Sequence, residues 1–349
     1  MDFIHNGKAT GTVAQRLLAN GMNPNVLRTY IGDDGHSYMT MMVNGKPKAV
    51  LAANATLRKD EWKHMDQAIL PAARQRLVGI ADLYSRGLVY RLGNGLGKTV
   101  LEYESLSELT PAEMTMDGVN RSQKDRPNYE LNYLPLPITH KDFHFNARVL
   151  AASRTTGDPL DTTTGEQAGR QVAEFLEGML FNGTGSYSYG GGTIYGYTDH
   201  PQRNEVTLTA TWDTSGVDGE DILDDVRAMK QASIDAKHYG PWVLYIPTAY
   251  ETILDNDFKS ASDKSIRQRI MEINGIQDIK VVDKLAADNV LLVQTTSDVV
   301  RVVEGMPIQT IEWQTEGGMV HNFKVMAIIV PQIRADQHGN SGIVHLHGQ

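Results

Sequence analysis

The clearest pattern along the chain lies between residues 163 and 182. Ala168, Val172, Phe175, Leu176, Met179 and Leu180 recur at helical spacing, which predicts one amphipathic helix with a single apolar face. Thr163 and Glu166 form the S/T-x-x-E pattern of a capping box at its start. Asn182-Gly183 supplies a stop at its end. Upstream, Trp62, Met65, Ile69, Leu77, Ile80 and Tyr84 mark an apolar stripe over 59–86, where Pro71 kinks or splits the helix. Between these helices the period changes from helical to alternating. Leu88, Tyr90 and Leu92, then Leu101 and Tyr103, then Tyr129, Leu131 and Tyr133 alternate with other residues around a polar middle. Alternation predicts strands, here a long two-stranded excursion over 87–141. A lone ribbon of that kind is marginal in water. Either the rest of the chain or a second copy must cover it.

The two ends differ. Tyr38–Val43 and Ala49–Ala52 are apolar runs joined by Asn44-Gly45-Lys46-Pro47, a hairpin signal. From 218 the pattern is α/β. Ile222, Leu223, Val226, Met229 and Ala232 mark a helix ending before Gly240-Pro241. The continuous apolar run Trp242–Ile246 reads as a buried strand, and Pro247 as the first residue of a further helix. A helix over 265–273 stops at Asn274-Gly275. Strands follow at 279–282, 290–294, 299–303, 308–313, 323–330 and 342–347, and a β-prone run lies around 206–212.

Composition narrows what such a chain does. Its 349 residues allow one large or two ordinary domains, and 41% apolar residues supply a core. A net charge of −9 argues against a general nucleic-acid binder. The segment 1–59 departs from this, with seven basic and three acidic residues, a local charge of +4 suited to an anionic partner or to plain solvation. The absence of cysteine excludes disulfides, thiolate metal sites and cysteine nucleophiles, and fits a reducing cytoplasm. The first residues have no basic-then-apolar signal pattern. The apolar run Val325–Val330 is far shorter than a membrane span.

No motif of reaction chemistry emerges. Gly93-Asn94-Gly95-Leu96-Gly97-Lys98-Thr99 resembles a phosphate loop. The first glycine of the P-loop pattern would fall on Leu92, however, and the third glycine of the dinucleotide pattern on Lys98. These glycines read as those of a flexible ribbon. His140 and His144 share a strand face about 13 Å apart, too far for one metal ion. His345 and His347 share a face near the end of the chain and, with His338, read as solvated histidines. Ser186 and Ser188 lie in no nucleophile elbow. Acidic pairs such as Glu220-Asp221 and Asp224-Asp225 read as solvated faces and helix-dipole partners. No catalytic, cofactor-binding or metal-binding residue is expected, and no cofactor.

The order of elements and several segments resemble the HK97-fold major capsid proteins of tailed phages and the related encapsulin shell proteins. The stretch 136–183, ending in Leu180-Phe181-Asn182-Gly183, looks like that family's strand-then-spine segment. Gly192-Thr193-Ile194-Tyr195-Gly196 is similar to the loop after the spine. Residues 222–254 resemble the A-domain helix, its Gly-Pro stop, the central strand and the next helix. Residues 299–313 and 323–335 look like the closing strands. The resemblance covers roughly 59–347. It implies an α+β, HK97-like capsid fold with an N-terminal arm (1–58), a P-domain helix (59–86), an E-loop (87–141) and a P-domain carrying the spine helix (142–217, helix 163–182). An A-domain (218–304), P-domain strands (305–324) and an A-domain strand with the C-terminal tail (325–349) follow.

That resemblance implies a non-enzymatic structural protein of the virion, assembled in the host cytoplasm. Its partners would be copies of itself, as pentamers and hexamers of an icosahedral shell joined through E-loop and N-arm. Packaged double-stranded DNA would be contacted non-specifically on the inner face. Portal, scaffold and decoration proteins are candidate partners, and no membrane is involved. The arm begins at Met1 and is short, so no cleaved scaffold segment is expected. Lys98 and Lys124 lie in the E-loop without a motif marking either for an isopeptide bond, so no crosslink is expected. The alternative is an encapsulin-type shell around a cargo enzyme, although such shells resemble this chain less in their short E-loop and N-terminal helix. A third reading is an enzyme with an α/β domain at 218–304.

Overall fold

The computed structural model describes 57, 59–106, 129–156 and 162–348 with short gaps (75–76, 94, 186, 260–262, 337–338), together with 36, 114, 116 and five strands before residue 52. Those five are β1 (Ile4–His5), β2 (Lys8–Ala9), β3 (Thr29–Ile31), β4 (Ser37–Val43) and β5 (Lys46–Leu51). The β4–β5 hairpin pairs Val43 with Lys46, so Lys46 and Pro47 belong to the strand, not to the turn. Then come α1 (Lys59–Arg74), α2 (Gly79–Ser85), β6 (Val89–Arg91), β7 (Val100–Leu106), β8 (Tyr129–Pro135), β9 (Thr139–Asn146), α3 (Ala147–Thr156) and α4 (Thr163–Asn182). After them lie β10 (Ser188–Tyr189), β11 (Gly192–Thr193), β12 (Asn204–Thr207), α5 (Gly219–Asp235), β13 (Trp242–Pro247), α6 (Glu251–Leu254) and α7 (Ile266–Met271). The chain closes with β14 (Ile276–Val282), β15 (Asn289–Gln294), β16 (Val300–Thr315), β17 (Val320–Ile333) and β18 (Ile343–His347).

Two sheets organise this chain. One has the order β6-β16-β17-β9 and carries α4 and α1 on one side. The other has the order β12-β18-β15-β13-β14. Its central strands are apolar on both faces because each face meets a different core. Val243, Tyr245, Leu291, Val293 and Ile343 join the core under α4. Trp242, Leu244, Ile246, Val290, Leu292, Val344 and Leu346 join a second core with α5 and α7. That explains the uninterrupted run Trp242–Ile246, a pattern of strands buried on both sides.

The long helix α4 packs closely against α1. A side chain at Gly169 would meet Ile69 Cγ2 at 2.8 Å, and one at Gly165 would meet Ile69 Cδ1 at 3.0 Å. Trp62 and Phe323 complete this layer edge to face, with centroids 6.0 Å apart. The carboxyl end of α4 is satisfied by the following loop. Tyr197 and Thr198 donate their backbone N–H groups to Leu180 O and Phe181 O, both at 2.9 Å. Gly183 takes φ +65, and a side chain at Gly196 would strike its nitrogen at 2.2 Å. The turn 180–183 and the loop 192–198 therefore form one cap, which is what the orphan carbonyls at a helix end require.

The structure differs from the sequence expectations at several points. The stripe over 59–86 is two helices, split beyond Arg74 rather than at Pro71. The N-cap of α4 is Thr162, and its hydroxyl donates to Glu166 Oε1 at 3.1 Å instead of serving a backbone N–H. Pro247 ends β13 and caps a 3-10 turn over 248–250, because its φ of −70 is held with an extended ψ of 159. The excursion expected over 87–141 is shorter. Leu88 and Leu92 are buried, β6 pairs in parallel with β16, and 139–141 pair with β17. The stretch 325–333, expected with the A-domain, stays in the four-stranded sheet, and 343–347 alone of the closing residues reaches the five-stranded one.

Candidate assembly surface

Strands β7 and β8 form an antiparallel ribbon from Val100↔Pro135 to Leu106↔Tyr129, with no third strand among the described residues. Its base is anchored. Leu134 and Leu136 are buried, and Leu136 N donates to Thr99 O at 2.8 Å. The β10–β11 hairpin closes on it so tightly that a side chain at Gly192 would meet Tyr133 O at 2.1 Å. The outer half is not covered: Tyr129 is 63% exposed and Leu131 46%. Lys124 lies outside the described residues, and Lys98 is exposed at the foot of the ribbon.

A groove opens beside the base. It is lined by Ile138 just before β9 and Lys141 within it, by Gln171, Phe175 and Met179 of α4, and by Tyr187. Phe175 was expected inside the helix stripe, yet it is 54% exposed. At about 100° per residue it falls just beyond one edge of the buried arc, which starts at Ala168 and runs round through Ala173 to Glu177 and Phe181. Ile138 and Tyr187 are exposed beside it. Ribbon and groove together leave aromatic and aliphatic side chains in water, a sign of a surface that meets a partner.

The opposite edge of the α4 arc holds Glu177, which the pattern gave no reason to expect inside. Its carboxylate accepts from Gly79 N at 2.5 Å and Ile80 N at 3.3 Å, so it caps α2. Around it lie Asp82, Asp283 and the buried hydroxyls of Tyr197 and Tyr245. Tyr245 donates to Asp82 Oδ2 at 3.1 Å, and Arg86 and Lys280 pair with Asp82 from outside. Burial pushes the Glu177 carboxyl up to about 7, against its backbone hydrogen bonds. A raised carboxyl pKa favours the fold most below the ordinary value of 4.5, and that contribution fades as pH climbs to about 7. The loss is on the order of 3 kcal/mol. His200 and His345 act with the opposite sign, because burial holds both near 4 and their contribution fades as pH falls. The difference between wild type and Glu177→Gln isolates the carboxyl. From pH 5 to pH 8 the wild-type denaturant midpoint should fall relative to that of the variant, with the histidine contribution common to both. Equal slopes would remove Glu177 from this role.

The other candidate residues do not converge. His140 and His144 are both exposed on β9, opposite Met326 and Asn322. His140 Nδ1 stands 3.5 Å from Asp142 Oδ1. His345 is not solvated: it is 5% exposed. Arg203 Nε donates to its Nδ1 at 3.2 Å, so Nε2 carries the proton and donates to Asn289 Oδ1 at 2.7 Å. The His347 ring lies tilted beside it, with centroids 4.7 Å apart, and His338 lies outside the described residues. The glycine run 93–99 is no phosphate cradle. Gly95 is buried against the bulge at Gly305, where a side chain would come within 2.2 Å of Gly305 O. Ser188 donates to Gly192 O at 3.0 Å, inside the hairpin, while Ser186 lies outside the described residues. No described helix is long and apolar enough to cross a membrane.

Comparison with known proteins places this geometry. The chain matches the family described as "Family of unknown function (DUF6260)" over residues 51–346. It is 24% identical over 241 residues to the type 1 encapsulin shell protein EncA of Myxococcus xanthus, covering 68% of the chain and 73% of that relative. Among solved structures it is similar to a virus-like particle from Pyrococcus furiosus, with TM-score 0.59 and 19% identity over 82% of this chain and 99% of that one. It is likewise similar to the capsid of the Myoviridae phage XM1, with TM-score 0.59 and 12% identity over 78% and 92%. The fold is the α+β, HK97-like capsid fold.

Proposed function

The chain belongs to the family of unknown function DUF6260, and from that premise we propose that it is a structural subunit that assembles with copies of itself into a closed shell. The observation that carries this reading is the ribbon β7–β8. It projects from a well-packed body with its outer apolar side chains uncovered. Laid on a neighbour, such a ribbon turns a strand-edge liability into an interface. Many moderate contacts closed by symmetry then give an assembly far firmer than any single pair. In the HK97-like arrangement the ribbon is the E-loop, 1–58 the arm, α4 the spine, and the five-stranded sheet the A-domain.

Within this reading the content is double-stranded DNA and the particle a phage capsid of pentamers and hexamers. The basic balance of 1–59, suited to an anionic content, supports it. A second reading, a nanocompartment around a cargo enzyme, is favoured by the likeness to the Myxococcus shell protein. Electron microscopy and content analysis of particles from the native source, after nuclease treatment, separate the two. Protected duplex DNA and a portal vertex are expected for the capsid. A protein cargo with neither would assign the nanocompartment instead.

A further inference from the structure

Among the described residues, two arginines near the foot of the ribbon have no anionic partner. Arg301 on β16 lies across the ladder from Gln332 on β17. Arg334 follows two residues after Gln332, so strand alternation turns all three toward one face. Arg301 stacks on Tyr90 at 4.4 Å, and Arg334 lies over Tyr103 at 5.8 Å. Their hydrogen bonds go to neutral oxygens. Arg301 Nε donates to Gln332 Oε1 at 2.5 Å, and Arg334 Nη2 to the Glu104 carbonyl at 3.5 Å. The nearby carboxylate of Glu304 is already engaged by Arg91 at 3.7 Å and by the Tyr84 hydroxyl at 2.5 Å. Among the described residues neither Arg301 nor Arg334 forms an ion pair. Gln332 is 1% exposed, and its Nε2 has no acceptor.

This arrangement costs the lone subunit stability. Two like charges share a half-buried site, and burial together with Arg334 pulls the Arg301 guanidinium below its ordinary value. A buried amide donor beside them is unpaired, itself a penalty. One oxyanion would answer the two guanidiniums, because their planar forks bind carboxylate and phosphate oxygens at fixed geometry. We infer that the notch formed by Arg301, Arg334 and Gln332 is an oxyanion site, filled in the assembled particle by a carboxylate side chain of a second copy of this chain. The inference rests on the shell reading. A carboxylate of the chain itself suits the site better than a nucleic-acid backbone. The chain carries 42 acidic against 33 basic residues. Backbone binding also draws on several phosphate contacts at once, and the notch offers a single pair.

The test reads subunit and particle separately. Arg301→Gln and Arg334→Gln should leave the melting temperature of dissociated subunits unchanged or raised, since the repulsion is relieved. The same variants should release subunits from particles at least tenfold more readily. A parallel fall in both stabilities would make the arginines merely structural and overturn the inference. Particles built from mixed light- and heavy-isotope subunits carrying Arg334→Lys, treated with carbodiimide, should yield an amide joining residue 334 to an Asp or Glu of another copy. An amide confined to one chain, or none, would overturn it. If the wild type makes no particle at all, the shell reading falls by itself. Inorganic phosphate added to free subunits then tests the notch alone. Stabilisation abolished by Arg334→Gln keeps an oxyanion site, and no stabilisation removes it.

Discussion

Tyr129→Asp combined with Leu131→Asp leaves the subunit folded and stops it assembling. Both side chains already stand in water, so the fold loses little, within about 0.5 kcal/mol for each. In the proposed shell, assembly would bury them against a neighbour, and a carboxylate taken out of water without a partner costs several kcal/mol. That penalty recurs in every copy, so a closed shell multiplies it. Sedimentation should show the variant at subunit mass where the wild type sediments as particles, with the circular dichroism of the two unchanged. Particles from the variant in normal yield would mean that the outer ribbon is not an assembly contact.

Trp62→Ala has the largest effect expected on the subunit itself. Trp62 is fully buried between α1 and the four-stranded sheet, edge-on to Phe323, which in turn stacks on Phe143 at 5.2 Å. Removing an indole from such a site costs about 3–5 kcal/mol, from transfer and residual cavity together. Native domains hold only about 5–15 kcal/mol in total. Urea unfolding of dissociated subunits should show the midpoint falling by a large fraction of its value. A loss under about 1 kcal/mol would mean that this layer does not carry the fold.

The elements with one clear period were legible in the sequence. The run 163–182 reads as a helix from Ala168, Val172, Leu176 and Leu180, and Trp242–Ile246 reads as a buried strand. The errors arose where tertiary contact decides. Phe175 and Glu177 sit at opposite edges of one arc, and only the position of α1 and the sheet settles which is covered. Nothing in residue type would place a glutamate inside, since the donors it meets, Gly79 N and Ile80 N, come from 98 and 97 residues away. Alternation alone overextends the ribbon, because Leu88, Tyr90 and Leu92 alternate like its own strands. Their partner, β16, lies some two hundred residues onward. The bulge at Gly305 that accepts Gly95 was equally beyond local pattern. So was the pairing of Arg301 with Gln332 and Arg334, which are distant in sequence from Tyr90 and Tyr103. The resemblance carried the fold, whereas the uncovered surfaces became visible only once the chain was packed.

The shell reading requires that copies of this chain need one another. Analytical ultracentrifugation of the purified wild-type chain, across protein concentration and salt, addresses it most directly. A closed shell predicts a discrete particle of many subunits in equilibrium with small species, and few intermediates between. Monomers or dimers alone under every condition would contradict it.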